Sequence, residues 1–131
     1  MAEETPSVLL VEDQSDVRNM LAILFEEWGY QATMVGTATE GLRQTLERRF
    51  DMIILDNWLP DLEGIDLCKQ IREFDQYTPI VFFSSSAMGN EDSATIQAGA
   101  NAFVLKGGGL APLRETMAEQ LALAKQRKSF R

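Results

Sequence analysis

Histidine is absent from the 131 residues, and cysteine occurs once, as Cys68. The missing imidazole removes a Ser-His-Asp hydrolase, a His-ligated zinc site and a phosphohistidine formed on this chain itself. One thiol cannot close an internal disulfide, so nothing implies an oxidising compartment. Basic side chains are scarce as well: 12 Lys and Arg stand against 20 Asp and Glu, for a net charge of −8. That balance opposes direct electrostatic attraction to nucleic acid or to an anionic membrane surface. With four prolines and 45% apolar residues, the chain is not disordered, collagenous or fibrous. No apolar run approaches the ~18 residues needed to span a bilayer. The opening Met1-Ala-Glu-Glu-Thr-Pro6 is acidic where a signal peptide would be basic and then apolar. The expectation is a cytoplasmic protein without a membrane partner, forming a single domain over 1–131 with its core at about 7–124.

What is present is an alternating pattern. Val8–Val11, Met52–Leu55, Ile80–Phe83 and Ala102–Leu105 are short, continuous apolar runs rich in β-formers. Such runs mark strands covered on both faces, as in a parallel sheet. Gln31–Val35 is a fifth, weaker candidate. Between the runs lie stretches of helical period. Met20, Leu21, Leu24, Phe25 and Trp28 share one face, and Gly29 ends it. Thr37-Ala-Thr-Glu40 reads as a capping box opening a helix that carries Leu42 and Leu46. Ile65, Leu67, Cys68 and Ile71 mark a third helix, and 90–98 a short fourth interrupted near Met88-Gly89. A long fifth carries Leu110, Leu113, Met117, Leu121 and Ala124, with Lys125, Arg127, Lys128 and Arg131 complementing the macrodipole at its end. Trp28 and the methionines are expected in the core, and Cys68 as a small buried hydrophobe. Five strand–helix repeats predict an α/β fold: a doubly wound (βα)5 sandwich on a five-stranded parallel sheet, flavodoxin-like, with right-handed crossovers.

Ligands of such sheets bind outside the carboxyl ends of the strands. There the sequence offers Glu12 and Asp13, then Asp56, Ser84 and Lys106, one set after each of four runs. Any one of these could be a loop residue or helix cap. All four together define one site, because the fold brings those ends close. Three neighbouring carboxylates repel one another, and a hard divalent cation, Mg2+, is the natural remedy. Lys106 adds a compact positive charge and Ser84 a rotatable hydroxyl. An aspartate so placed is arranged to attack phosphorus and form an aspartyl-phosphate.

Four segments then resemble one family. Leu9-Leu10-Val11-Glu12-Asp13, Asp56 followed by Leu59-Pro60-Asp61-Leu62-Glu63-Gly64, Pro79-Ile-Val-Phe-Phe-Ser84, and Ala98-Gly-Ala-Asn-Ala-Phe103-Val-Leu-Lys106 look like the response-regulator receiver domain, in order and at matching spacing. The resemblance implies that Asp56 is the phosphoacceptor and that Glu12, Asp13, Asp56 and the backbone carbonyl of Trp58 hold Mg2+. It implies that Lys106 pairs with the phosphoryl group, that Ser84 is the switch hydroxyl and that Phe103 is its aromatic rotamer partner. It further implies a signalling module and not a turnover enzyme. The donor is then a histidine kinase or histidine phosphotransfer protein acting in trans. Output passes to a downstream protein target or output domain, or through a phosphorylation-dependent homodimer. One departure stands out. The family places proline after the lysine, joined by a cis peptide, whereas here Gly107-Gly108-Gly109 follows Lys106 and predicts a trans bond.

Three other readings compete. A degenerate receiver would keep the fold as a constitutive interaction domain, but the acidic set is complete. A flavodoxin-like cofactor carrier would need a hydroxyl- and glycine-rich loop where Glu12-Asp13-Gln-Ser-Asp16 would repel a phosphate. An aspartyl-phosphate phosphatase would need an acid where Trp58 stands.

Overall fold

The five apolar runs become five strands: β1 (Ser7–Val11), β2 (Gln31–Val35), β3 (Met52–Leu55), β4 (Ile80–Ser84) and β5 (Ala102–Leu105). They form one parallel sheet of order β2-β1-β3-β4-β5 in a computed structural model that describes residues 5–85 and 91–129. Helices α1 (Ser15–Glu27), α2 (Ala38–Glu47), α3 (Gly64–Arg72), α4 (Glu91–Gln97) and α5 (Ala111–Ser129) fill the connections. The fold is the predicted doubly wound α/β sandwich. The Met88-Gly89 interruption and Arg131 lie outside the described residues.

Strand alternation explains why continuous apolar runs were needed. Leu9, Val11, Ile53, Leu55, Ile80 and Phe82 face one side, where Ala38 of α2 and Leu67, Cys68 and Ile71 of α3 cover them. Val8, Leu10, Met52, Ile54, Val81 and Phe83 face the other, against Leu21 and Phe25 of α1 and Leu113 and Met117 of α5. Each fully buried Leu, Ile or Phe contributes roughly 1.5–3 kcal/mol, so the central strands carry most of the driving force. Cys68 is buried as expected, and burial pushes its thiol up to about 11, which leaves it inert.

Helix ends follow the sequence signals. Gly29 stops α1 with a left-handed φ of 95°. The Thr37 hydroxyl accepts the Glu40 N–H at 3.1 Å and caps α2. No cis peptide occurs among the described residues, and Lys106–Gly108 forms a 3₁₀ turn.

Two helix positions differ from expectation. Met20 is 42% exposed and Leu46 63% exposed. The stripe of α1 that meets the sheet runs through Val17, Leu21, Leu24, Phe25 and Trp28, so Met20, one residue before Leu21, is turned about 100° off it. Leu42 packs on the core from α2, but Leu46, in the last turn, is not among the core residues.

Candidate functional site

The carboxyl ends of the strands hold their polar residues through continued ladder bonds. The Glu12 N–H donates to the Val35 carbonyl at 3.0 Å, extending the β1–β2 pairing by one residue. The Asp56 N–H donates to the Val11 carbonyl at 3.1 Å and does the same for β1–β3. Glu12 and Asp56 are therefore fixed by the sheet and nearly excluded from water, at 1% and 4% exposure. Asp13, next to Glu12, is exposed. One oxygen from each of Glu12, Asp13 and Asp56 lies within 4.8 Å of the others, an all-oxygen donor set suited to a hard divalent cation.

Lys106 reaches this group from the end of β5. Its Nζ donates to Glu12 Oε1 at 2.5 Å and to Asp56 Oδ2 at 3.0 Å. Ser84 is itself the last residue of β4, opposite Leu105, and its Oγ donates to Asp56 Oδ1 at 2.7 Å. The backbone N–H of Trp58 also donates to Oδ1, at 3.2 Å. Burial raises the Glu12 pKa, an effect that its bonds to Lys106 and to the Gln14 N–H only partly offset. Burial pulls the Lys106 ammonium down, but the hydrogen bonds to Glu12 and Asp56, with their charges, outweigh it and leave its pKa raised.

The structure thus brings together Glu12, Asp13, Asp56, Ser84 and Lys106, with the Trp58 peptide beside them. The Trp58 indole is exposed and donates from Nε1 to the Ser85 carbonyl at 3.2 Å. Phe103 pairs with Phe82 across β4–β5 and packs, partly buried, against the core face that α2 and α3 cover.

Two supporting residues escaped the sequence reading. Arg18, in α1, donates from one guanidinium nitrogen to the carbonyls of Glu12 at 2.7 Å and Asp13 at 3.0 Å, clamping the turn that presents both acids. The available signal was a cation near a helix N-terminus, which the macrodipole disfavours. Gly64 opens α3 directly under the loop that follows β3; a Cβ there would lie 2.2 Å from the Asp56 carbonyl oxygen. That close approach, which only glycine allows, went unread in the Leu62-Glu63-Gly64 segment.

Comparison with known proteins decides the family. The profile of the response regulator receiver domain matches residues 8–118. The chain belongs to the response-regulator receiver family. Among curated relatives, this receiver is similar to transcriptional regulatory protein AfsQ1 of Streptomyces coelicolor, with 31% identity over 101 residues. The match covers 77% of this chain and 44% of AfsQ1, so the receiver spans less than half the length of that relative. Among solved structures, the CheY-like response regulator receiver domain protein of Methanospirillum hungatei superposes with a TM-score of 0.89 at 23% identity, covering 95% of this chain and 99% of that one; it supports the fold. The receiver domain of sensor histidine kinase PA1611 from Pseudomonas aeruginosa, at 25% identity and TM-score 0.83, covers 91% of this chain and 99% of that one, and holds a magnesium ion in its active-site cleft. Receivers are signalling modules of two-component systems. In this receiver, Asp56 and its acidic neighbours fit the phosphoacceptor site. Among the described residues no helix is long and apolar enough to cross a membrane.

Proposed function

We propose that Asp56 accepts a phosphoryl group from a phosphohistidine on a partner histidine kinase or histidine phosphotransfer protein. One observation carries the reading. Asp56 is buried at the end of a central strand, with Lys106 on one oxygen, Ser84 on the other and two further carboxylates alongside. In the transfer, an Asp56 oxygen forms the new O–P bond as the donor's N–P bond breaks, and the bonding pair leaves on the imidazole. Glu12, Asp13 and Asp56, with the Trp58 carbonyl, are the residues that would hold Mg2+; bound there, it neutralises charge on the transferred oxygens. Lys106 gives up its contact with Asp56 to pair with the phosphoryl group. The Ser84 hydroxyl turns from Asp56 to the same group, and Phe103 follows by changing rotamer on the exposed edge of β5.

The proposal extends to the setting. Residues 7–124 form the core of one receiver domain, working in the cytoplasm and not catalysing turnover. It signals through a protein target, an output domain or a homodimer formed on phosphorylation. AfsQ1 is named a transcriptional regulator, and more than half of its length lies beyond the match. With a net charge of −8, this chain is itself a poor ligand for DNA, and we assign it no direct nucleic-acid contact.

Incubation with magnesium and a small phosphodonor, followed by intact mass, tests the reading. A gain of one phosphoryl group that disappears in Asp56→Asn is the expected result. Failure to form an adduct with any donor, small molecule or phosphohistidine protein, sinks it in favour of a degenerate receiver.

A further inference from the structure

The opposite end of the sheet holds a pocket of about 540 Å³, framed by the segments that lead into β1, β3 and β4 and by the last turns of α5. Its volume falls in the range of small-molecule sites, which run roughly 300–1,000 Å³. The floor is apolar and fixed: Phe50 and Pro79 are buried, and Leu121 packs on the core. On its own account Phe50 is held by the Arg48 guanidinium, 4.5 Å from the ring centroid.

The rim is cationic. Arg49, Lys125, Arg127 and Lys128 line it, four of the twelve basic residues of a strongly acidic chain. Asp51 is the acid in the lining, and its carboxylate already accepts the Ser7 N–H at 2.8 Å and the Ser7 hydroxyl at 3.3 Å. Beneath the pocket the Arg72 guanidinium donates to the Thr78 carbonyl at 2.8 Å and holds that wall in place. An anion on the rim would be attracted by the four cations together. Tyr77, 59% exposed, adds an aromatic wall, and guanidinium planes stack on aromatic rings.

We propose that this pocket binds an aromatic phosphate of nucleotide size, its ring against Phe50, Pro79, Leu121 and Tyr77 and its phosphate among Arg49, Lys125, Arg127 and Lys128. The small size of the ligand follows from the electrostatics. Within a Debye length of about 8 Å the local cations dominate, whereas a long polyanion would also feel the repulsion of the whole chain. The proposal is independent of the chemistry at Asp56, which lies at the other end of the strands.

Amide chemical-shift titration in magnesium-free buffer tests it, with adenosine monophosphate, adenosine and inorganic phosphate as separate probes at up to millimolar concentration. The expected result is saturable shifts at Phe50, Asp51, Tyr77, Leu121 and Lys125 with the nucleotide, and binding at least about tenfold weaker for either half alone. The charge reversal Arg127→Glu with Lys128→Glu should weaken nucleotide binding by about tenfold or more. Arg49→Glu, on a different segment, repeats the test should the double variant fail to fold. Absence of pocket shifts with the nucleotide, equal binding of phosphate or adenosine alone, or undiminished binding in a folded reversal variant overturns the proposal.

Discussion

The two oxygens of Asp56 sit in different company: Oδ2 meets an ammonium, while Oδ1 receives a hydroxyl and a backbone N–H. In the proposed transfer, a carboxylate held from three directions needs little reorganisation before attack, which is the main contribution a protein makes to phosphoryl transfer. The surrounding shell sets how well it is held. Removing the Arg18 clamp in Arg18→Gln frees the Glu12–Asp13 turn at a cost of about 1 kcal/mol, so magnesium affinity, measured by calorimetry, is expected to fall roughly fivefold with the fold intact. Gly64→Ala is harsher. Its methyl would drive into the Asp56 carbonyl, so a loss of about 1–3 kcal/mol in urea denaturation, with slowed phosphorylation, is expected. Of these residues, the acids, Ser84 and Lys106 were legible because each follows an apolar run at one end of the sheet. Arg18 and Gly64 were not, since their roles lie in backbone carbonyls that no residue pattern records.

Between elements, the loop after β3 does more than carry Asp56. Asp61 reaches across to the start of α2, accepting the N–H groups of Ala38 and Thr39 at 2.9 Å each and the Thr39 hydroxyl at 2.6 Å. The Thr39 hydroxyl, more than the two N–H groups, holds the Asp61 carboxyl down to about 2 against an ordinary 3.8. A folded value below the unfolded one stabilises above about pH 4, and that contribution fades as pH falls toward 2. Asp61→Ala is expected to cost about 0.5–1 kcal/mol at neutral pH, the low end for a cap because water screens this exposed carboxylate. Urea titrations across pH should show the deficit shrinking in acid; a constant deficit would mean that the charge contributes nothing. The capping box itself was readable, since Thr37 and Glu40 are local. Its supplement from Asp61 comes from 23 residues away, and only the crossover between β3 and α3 delivers it. The same limit explains Met20: spacing marks a helix face, but the packing of the sheet decides which of the adjacent Met20 and Leu21 turns inward.

At the scale of the whole molecule, concentrating buried carboxylates at one end of the sheet stores repulsion that Lys106 relieves in part. A cation that binds the folded state alone stabilises it by mass action, about 2.7 kcal/mol at roughly a hundredfold excess over its dissociation constant. Magnesium should therefore raise the melting temperature, and exposed Asp13→Asn should abolish most of that rise while leaving the metal-free protein nearly unchanged; an equal rise in the variant would remove Asp13 from the metal site. The fold class, the five strands and the residues at their carboxyl ends were present in the chain as written, because burial on both faces demands continuous apolar runs and those runs are local. That Lys106 and Glu12, 94 residues apart, share one site was legible there too, but the particular ion pair between them was not. Neither was the basic pocket under the sheet, where residues from the loops before three strands and from the end of α5 become neighbours. Those juxtapositions arise from strand order and crossover, which bring distant segments within ångströms through packing that no stretch of sequence encodes alone.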